Sequence, residues 1–282
     1  MDYPKILIAG LIRNRAWILP DYLEHIRVLD TDGMEVGYYF IVDSSTDESL
    51  KLVMDTVIGE DIENPLWGKN AVIACNESEV DEDTRGFTAR RGAGIYEHLR
   101  MLREKLRTTA LSLGYDYLFC IDSDILVKPD SLKVLLGHKK DFVAFTVANN
   151  PLGKPEKGVN ALSLSGKLNS PYAIPPSWGW WKYGKGGLVK VGATGAGFLA
   201  SRKVLSKTSY YFEPSKQEIR LLEAMPGEDE WFALSCIRAK IDQFLDEEHV
   251  VFHAYTPKLY RRYKSGKTSG RGGSKAKPVS EG

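Results

Sequence analysis

Apolar runs of strand length alternate with apolar positions at helical spacing through the first half of this chain. That alternation predicts an α/β fold, with a mostly parallel central sheet flanked by helices on both faces. The first run, Lys5 to Leu11 (KILIAGL), is followed by Ile18, Leu19, Tyr22, Leu23, Ile26 and Leu29 at helical spacing, with Pro20 suited to a first helical turn. Tyr38 to Val42 (YYFIV) is a second buried strand, after which Ser45, Thr46 or Asp47 is expected to cap a helix reaching about Ile58. Ala71 to Cys75 is a third strand, and the acidic stretch Glu77 to Asp83 reads as a solvated loop. From Ala89 to Leu113 the pattern is helical again, placing Ile95, Leu99, Leu102, Leu106 and Leu113 towards one side, with Gly114 as the stop. The next apolar run, within YDYLFCIDSDILVK, delivers Asp122 and Asp124 to the end of a buried strand.

The second half is less regular. Asp141 to Val147 is a strand, Ala148 to Gly187 reads mostly as loop with Trp178, Trp180 and Trp181, and Leu188 to Val191 is a strand. A long loop in a compact domain is often functional. A helix over Glu228 to Lys240 and a strand over Val250 to Phe252 complete the body, and the closing GKTSGRGGSKAKPVSEG is expected to be disordered. There is no internal repeat.

Composition adds little to this picture, because 282 residues with 43% hydrophobic and 27% charged positions and a net charge of +1 describe an ordinary globular protein. Nothing here points to a nucleic-acid partner. The distribution of charge is more informative. From Lys258 onward eight Lys or Arg stand against one acid, Glu281, so that stretch carries +7 and the remainder −6. Such a tail would attract an anionic polymer or the surface of a membrane. Cys75, Cys120 and Cys236 lie in apolar surroundings without C-x-x-C spacing, which argues against a disulfide framework or a cysteine-bound zinc and for a reducing compartment. The N-terminus, with Asp2 and a seven-residue apolar run broken by Gly10, resembles neither a secretion signal nor a membrane span, so a cytoplasmic location is expected.

The chemistry sits where a parallel sheet gathers ligands, at the carboxyl ends of its strands, and Arg13, Asp43, Asp122 and Asp124 are all predicted to lie there. Two carboxylates flanking one small residue, Ser123, can share a hard divalent cation that keeps positions open for substrate phosphates. Taken alone, the pair is equally explained as a solvated turn after a core strand.

Four segments in order change that balance. FIVDSSTDES resembles the nucleotide-binding segment of family 2 glycosyltransferases, CIDSD the DxD motif, GATGAGFLASRKVL the acceptor-side segment, and PGEDEWF the acidic motif that opens the following helix. From Lys5 to Pro257 the chain is similar to glycosyltransferases of the GT-A fold, and its opening LIRNRAWILPDYLEHIRVLD resembles most the domains related to collagen galactosyltransferases. The resemblance implies a nucleotide-sugar-binding half over 1–147, an acceptor-binding and catalytic half over 148–257, and a basic tail over 258–282. Those collagen-type enzymes belong to the secretory pathway, so their acceptor is not carried over to a chain without a visible signal sequence.

The resemblance also assigns roles. Asp124 and His253 would hold Mn2+ or Mg2+, which would stabilise charge on a departing nucleotide diphosphate. Asp122 would reach the metal or hydrogen-bond the ribose, with Ser123 beside it, and Asp43 would meet the base or ribose. Arg13 and Arg90, with Arg91 as a third candidate, would contact the nucleotide. Asp229 would take the acceptor's proton in an inverting transfer. Gly195, Ala196, Gly197, Trp180, Trp181 and Glu228 would form the acceptor side, with Gly192 among the glycines of that segment.

Each role has a plainer counterpart. Asp47 serves as a helix cap, the acids at 228–230 complement a helix dipole, and the tryptophans pack a subdomain. The implied activity is transfer of a sugar, UDP-linked in preference to GDP-linked, to a carbohydrate or other hydroxyl acceptor. A retaining GT-A transferase, a sugar nucleotidyltransferase and a non-catalytic binding protein remain as alternatives. The second lacks support because AGLIRNRAWILP carries no glycine-rich basic signature.

Overall fold

The computed structural model describes residues 3–57, 71–76, 93–148, 160–165, 177–180, 182–184, 186–225 and 227–265. Its first half alternates as expected. Strand β1 (Lys5–Ile12) leads to α1 (Leu19–Arg27), β2 (Glu35–Asp43) to α2 (Ser49–Val57), and β3 (Ala71–Asn76) to α3 (Ala93–Ser112). Then come β4 (Tyr117–Ile121), the short β5 (Ile125–Leu126), α4 (Ser131–Gly137) and β6 (Phe142–Ala148). The second half contributes β7 (Ala161–Ser165), β8 (Ser177–Trp180), β9 (Leu188–Val191), β10 (Ala193–Thr194), β11 (Gly197–Ser201), α5 (Arg202–Lys207), α6 (Lys216–Ala224), α7 (Glu228–Arg238), β12 (Gln243–His253) and α8 (Pro257–Lys264).

Among the described residues the main sheet runs β3-β2-β1-β4-β11-β6-β12-β5, with β9 also paired to β12. The pairs β1 with β2, β1 with β4, β2 with β3 and β6 with β12 are parallel. Strand β11 enters antiparallel between β4 and β6. The two halves expected to meet at residue 147 therefore share one sheet.

Strand side chains alternate between faces, and both faces are covered. Ile6, Ile8, Phe40, Phe119 and Ile121 join Leu19, Tyr22, Leu23 and Ile26 of α1 in one core. Leu7, Ala9, Tyr39, Ile41, Leu118 and Cys120 join Leu102, Leu106 and Ala110 of α3 in the other. Burying each large apolar side chain contributes about 1.5–3 kcal/mol, which is why these runs are continuous instead of alternating with polar residues.

Several expectations need correction. Leu113 is 60% exposed, because α3 ends at Ser112 and Leu113 falls in the turn that follows it. Cys75 is exposed on β3, whereas Cys120 and Cys236 are buried as expected. The stretch read as loop between 148 and 187 contains β7 and β8, which form a separate three-stranded sheet with β10. The strand expected over Val250 to Phe252 is the end of the longer β12, whose pairing with β6 shifts register between Asp246 and Val250. Residues 257–264 form α8, whose Leu259, Tyr260 and Tyr263 pack on the first core. That part of the expected tail is thus ordered body, held by apolar positions that a count of its charges overlooked. The segment 77–83 and residues 266–282 lie outside the described residues.

Candidate active site

The loops that follow β1 and β2 are clasped together. Asn14 Oδ1 accepts the Thr46 backbone N–H at 2.8 Å, Ser49 Oγ accepts from Arg15 N at 2.8 Å, and Asp47 accepts from Ala16 N and Ser49 N, each at 2.9 Å. Asp47 is thus a local cap and a loop tie, in line with the cap expected of it. Asn14, Ser44 and Ala196 carry positive φ of 49°, 37° and 67°. All three sit beside the ends of main-sheet strands, and left-handed non-glycine residues persist only where their surroundings over-determine them.

Asp43, at the end of β2, is 2% exposed and saturated. His98 Nε2 lies 2.9 Å and Arg13 Nη1 3.1 Å from its Oδ2, and Asn76 Nδ2 donates to Oδ1 at 2.8 Å. Asp43 is the hub that holds Arg13, Asn76 and His98 together. His98 and Asn76 were not anticipated. Their signal was present as polar residues placed at a strand end and on the apolar stripe of a helix.

After β4 the chain turns through Asp122, Ser123 and Asp124. Asp124 is buried beside the half-buried His253, whose Nε2 is 3.5 Å from Asp124 Oδ1, and Arg15 Nη2 is 3.4 Å from Oδ2. Burial alone raises the Asp124 carboxyl. The His253 hydrogen bond and charge, with Arg15, outweigh that and hold it well below the ordinary carboxylate range. His253 arrives at the end of β12, where its pairing with Ile125 of β5 brings it to the same turn. Its Nδ1 is buried without a hydrogen-bond partner. Asp122 behaves differently, accepting from Arg103 Nη2 of α3, so Asp124 and His253 form a close pair that does not include it. Among the described residues there is no cluster of three or more His, Cys, Asp or Glu side chains poised for a metal. A carboxylate beside an imidazole with an orphaned nitrogen still matches the donor set that a hard or borderline divalent cation takes.

The acceptor-side segment meets this turn directly. Asp122 N donates to Ala196 O at 2.9 Å, and Gly197 pairs with Ile121 across β4 and β11. A Cβ at Gly195 would collide with the Asp229 carboxylate, and one at Gly197 with the Phe145 ring, so these glycines admit close packing. Asp229 lies in the first turn of α7. Burial, then the neighbouring Glu228 charge, raise its carboxyl well above the ordinary range, although Arg103 opposes them. Glu230 is pushed up to about 7, chiefly by burial. Trp180 is 61% exposed on β8, while Trp178 packs inward on Leu222, Leu234 and Ala233. Arg90, Arg91 and Trp181 lie outside the described residues. Arg103 is the main side chain at this turn that sequence reading missed, since a buried arginine inside a helix stripe gives no motif.

An Asp-Ser-Asp turn at the end of a central strand, faced by an acid at a helix start across a glycine-bearing segment, on a mostly parallel sheet, is the arrangement expected of a glycosyltransferase domain. Residues 3–152 match the N-terminal domain of glycosyltransferase family 25, and the chain belongs to that family.

It is 30% identical over 145 residues to a glycosyltransferase 25 family member of Drosophila melanogaster, a match that spans 51% of this chain and 23% of that protein. It is 25% identical over 152 residues to procollagen galactosyltransferase 1-A of Xenopus laevis, spanning 50% and 23%. It is also 25% identical over 144 residues to the inactive glycosyltransferase 25 family member 3 of Homo sapiens, again 50% and 23%. The matches thus cover less than a quarter of these relatives. Among solved structures, S. aureus TarS 1–349 in complex with UDP is similar at 14% identity and a TM-score of 0.47, covering 91% of this chain and 62% of that one. No helix among the described residues is long and apolar enough to cross a membrane.

Proposed function

We propose that this chain transfers a sugar from a nucleotide-sugar donor, a UDP-sugar in preference to a GDP-sugar, to a hydroxyl of a carbohydrate or other acceptor, with inversion at the anomeric carbon. The observation that carries the reading is the convergence of the DxD turn and Asp229 on the two sides of Gly195 and Ala196. That arrangement sets donor-side and acceptor-side acids in one cleft. Support for the donor class comes from the family, and from a Xenopus relative described as a procollagen galactosyltransferase.

In this reading Asp124 and His253 hold Mn2+ or Mg2+, and the cation supplies Lewis-acid stabilisation of the diphosphate leaving group. Arg13, oriented by Asp43, binds the nucleotide, and Asp122 and Ser123 meet its ribose. The acceptor oxygen attacks the anomeric carbon as the bond from that carbon to the diphosphate oxygen breaks, and Asp229 receives the acceptor's proton. A carboxyl raised by burial suits this task, because a base works best when its pKa approaches the operating pH. Exposed Trp180 offers an apolar face to an acceptor ring.

The test is a thermal-shift panel of UDP, GDP and CDP, each with and without Mn2+. A ligand at a hundred times its Kd stabilises the native state by about 2.7 kcal/mol, so the shift should be plain. A Mn2+-dependent shift with UDP or GDP, followed by release of that diphosphate from its sugar donor, supports the reading. Binding without release would favour a nucleotide-binding protein on the same fold, and no shift with any nucleotide would remove the donor assignment.

A further inference from the structure

The Gly195–Ala196 turn has Asp122 on one side and Asp229 on the other, and a buried cation is paired with Asp122. Arg103 of α3 is 5% exposed. Its Nη2 donates to Asp122 and its Nη1 to Cys120 Sγ at 2.9 Å, while Nε is buried without a partner. Burial pushes the Cys120 thiol up to about 11, against the pull of Arg103, so the thiol stays neutral and Asp122 supplies the countercharge. The titratable groups that interact with Asp229 come from several elements. Glu228 and Glu230 lie on its own helix, Arg103 on α3, Asp122 and Cys120 on or after β4, and Tyr210 in the segment before α6. In this group Arg103 is the cation.

We propose that Arg103 is a positioning residue linking the two sides of the reaction centre: its guanidinium holds Asp122 towards α3, on the Gly195–Ala196 segment that Asp229 packs against from the other side, and so places one cation within reach of both acids. The inference rests on the transferase reading and adds to it a residue that touches neither donor nor acceptor. An arginine suits the place because its planar fork reaches two acceptors at once, whereas a lysine would offer one point charge. Replacing both members of a buried ion pair by neutral side chains is often harmless, while removing one member is costly. That asymmetry allows the two roles to be separated.

The experiment compares wild type, Arg103→Met, Arg103→Lys, Asp122→Asn and the double variant Arg103→Met with Asp122→Asn. Each is measured for UDP affinity by calorimetry with Mn2+, for Tm, and for kcat of UDP release from UDP-galactose and UDP-N-acetylglucosamine across pH. Loss of the cation should move the acidic limb of kcat, where Asp229 ionises, upward by about one pH unit or more. It should also lower kcat by about 100-fold at neutral pH. Arg103→Lys, which keeps the charge but loses the fork, should restore the limb and leave kcat reduced. If Arg103→Met is too unstable to assay, the double variant carries no lone buried charge, and its limb should lie above that of Asp122→Asn.

An Arg103→Met protein with wild-type kcat and limb and only a lower Tm would overturn the proposal, as would a double variant indistinguishable from Asp122→Asn. In both cases the transferase reading would stand. A wild-type protein that neither binds UDP nor releases it from either donor would instead remove that reading and the proposal together.

Discussion

Asp229 and Asp124 are both carboxylates in one cleft, yet their surroundings drive them in opposite directions. Burial and then Glu228 raise Asp229, whereas the His253 contact and Arg15 overcome burial and lower Asp124. Two carboxylates pushed apart in this way can divide the labour, one as proton acceptor and one as permanent anion. Asp229→Asn is expected to keep UDP binding and to lose transfer by at least about 100-fold, measured as kcat. Asp124→Ala should abolish the Mn2+-dependent part of UDP binding in calorimetry. Gly195→Ala places a methyl group where the Asp229 carboxylate lies, and should depress kcat while leaving UDP affinity near wild type. Because Asp229 must be ionised to accept a proton, activity should rise with pH through a limb above the ordinary carboxylate range.

Between elements, the start of α7 concentrates acid at a cost to stability. Glu230 has a folded pKa of about 7 against 4.5 when unperturbed, so the fold favours its protonated form. Its stabilising contribution is therefore complete below about pH 4.5 and is lost as pH rises to about 7. The stability of wild type relative to Glu230→Gln should fall by roughly 3 kcal/mol across that window in chemical denaturation. The neighbouring α6 shows the opposite sign. Glu218 closes a capping box with Ser215 and accepts from Arg238 Nε and Nη2 at 2.7 and 2.6 Å, and these bonds outweigh burial to hold it at about 2. Its contribution is present above about pH 4.5 and is lost on acidification towards about 2. Arg238 remains partly in water, so Glu218→Ala should cost only about 2 kcal/mol, loosening α6 from α7.

At the scale of the molecule, a strand from the second half completes a sheet built by the first. Strand β11 lies between β4 and β6, and Gly195, two residues before it, is the glycine against which Asp229 rests. The site is thus closed only when the whole sheet has formed, and neither half would be expected to bind donor alone. Helix α8 extends the same body. Tyr263 stacks on Phe252 at 4.5 Å and Tyr260 meets Trp17 edge-on at 5.5 Å, next to the strand that presents His253. Truncation after residue 256 should lower Tm by several degrees and weaken Mn2+-dependent UDP binding more than removal of residues 266–282, a comparison that thermal shift can make directly.

The sequence by itself determined the alternation of strands and helices, the buried central strands and the DxD turn. Continuous apolar runs and helical spacing are local consequences of burial on two faces, and they survive in a one-dimensional pattern. It also indicated Asp229 and His253, through a resemblance carried by short motifs. Tertiary structure alone decided that Asp43 is saturated by His98, Asn76 and Arg13, that Arg103 reaches Asp122, and that α8 belongs to the body. These depend on contacts between residues 19 to 55 positions apart, or on apolar side chains hidden among charges. Sheet pairing sets such contacts through register and crossover, and no local spacing in the chain records them.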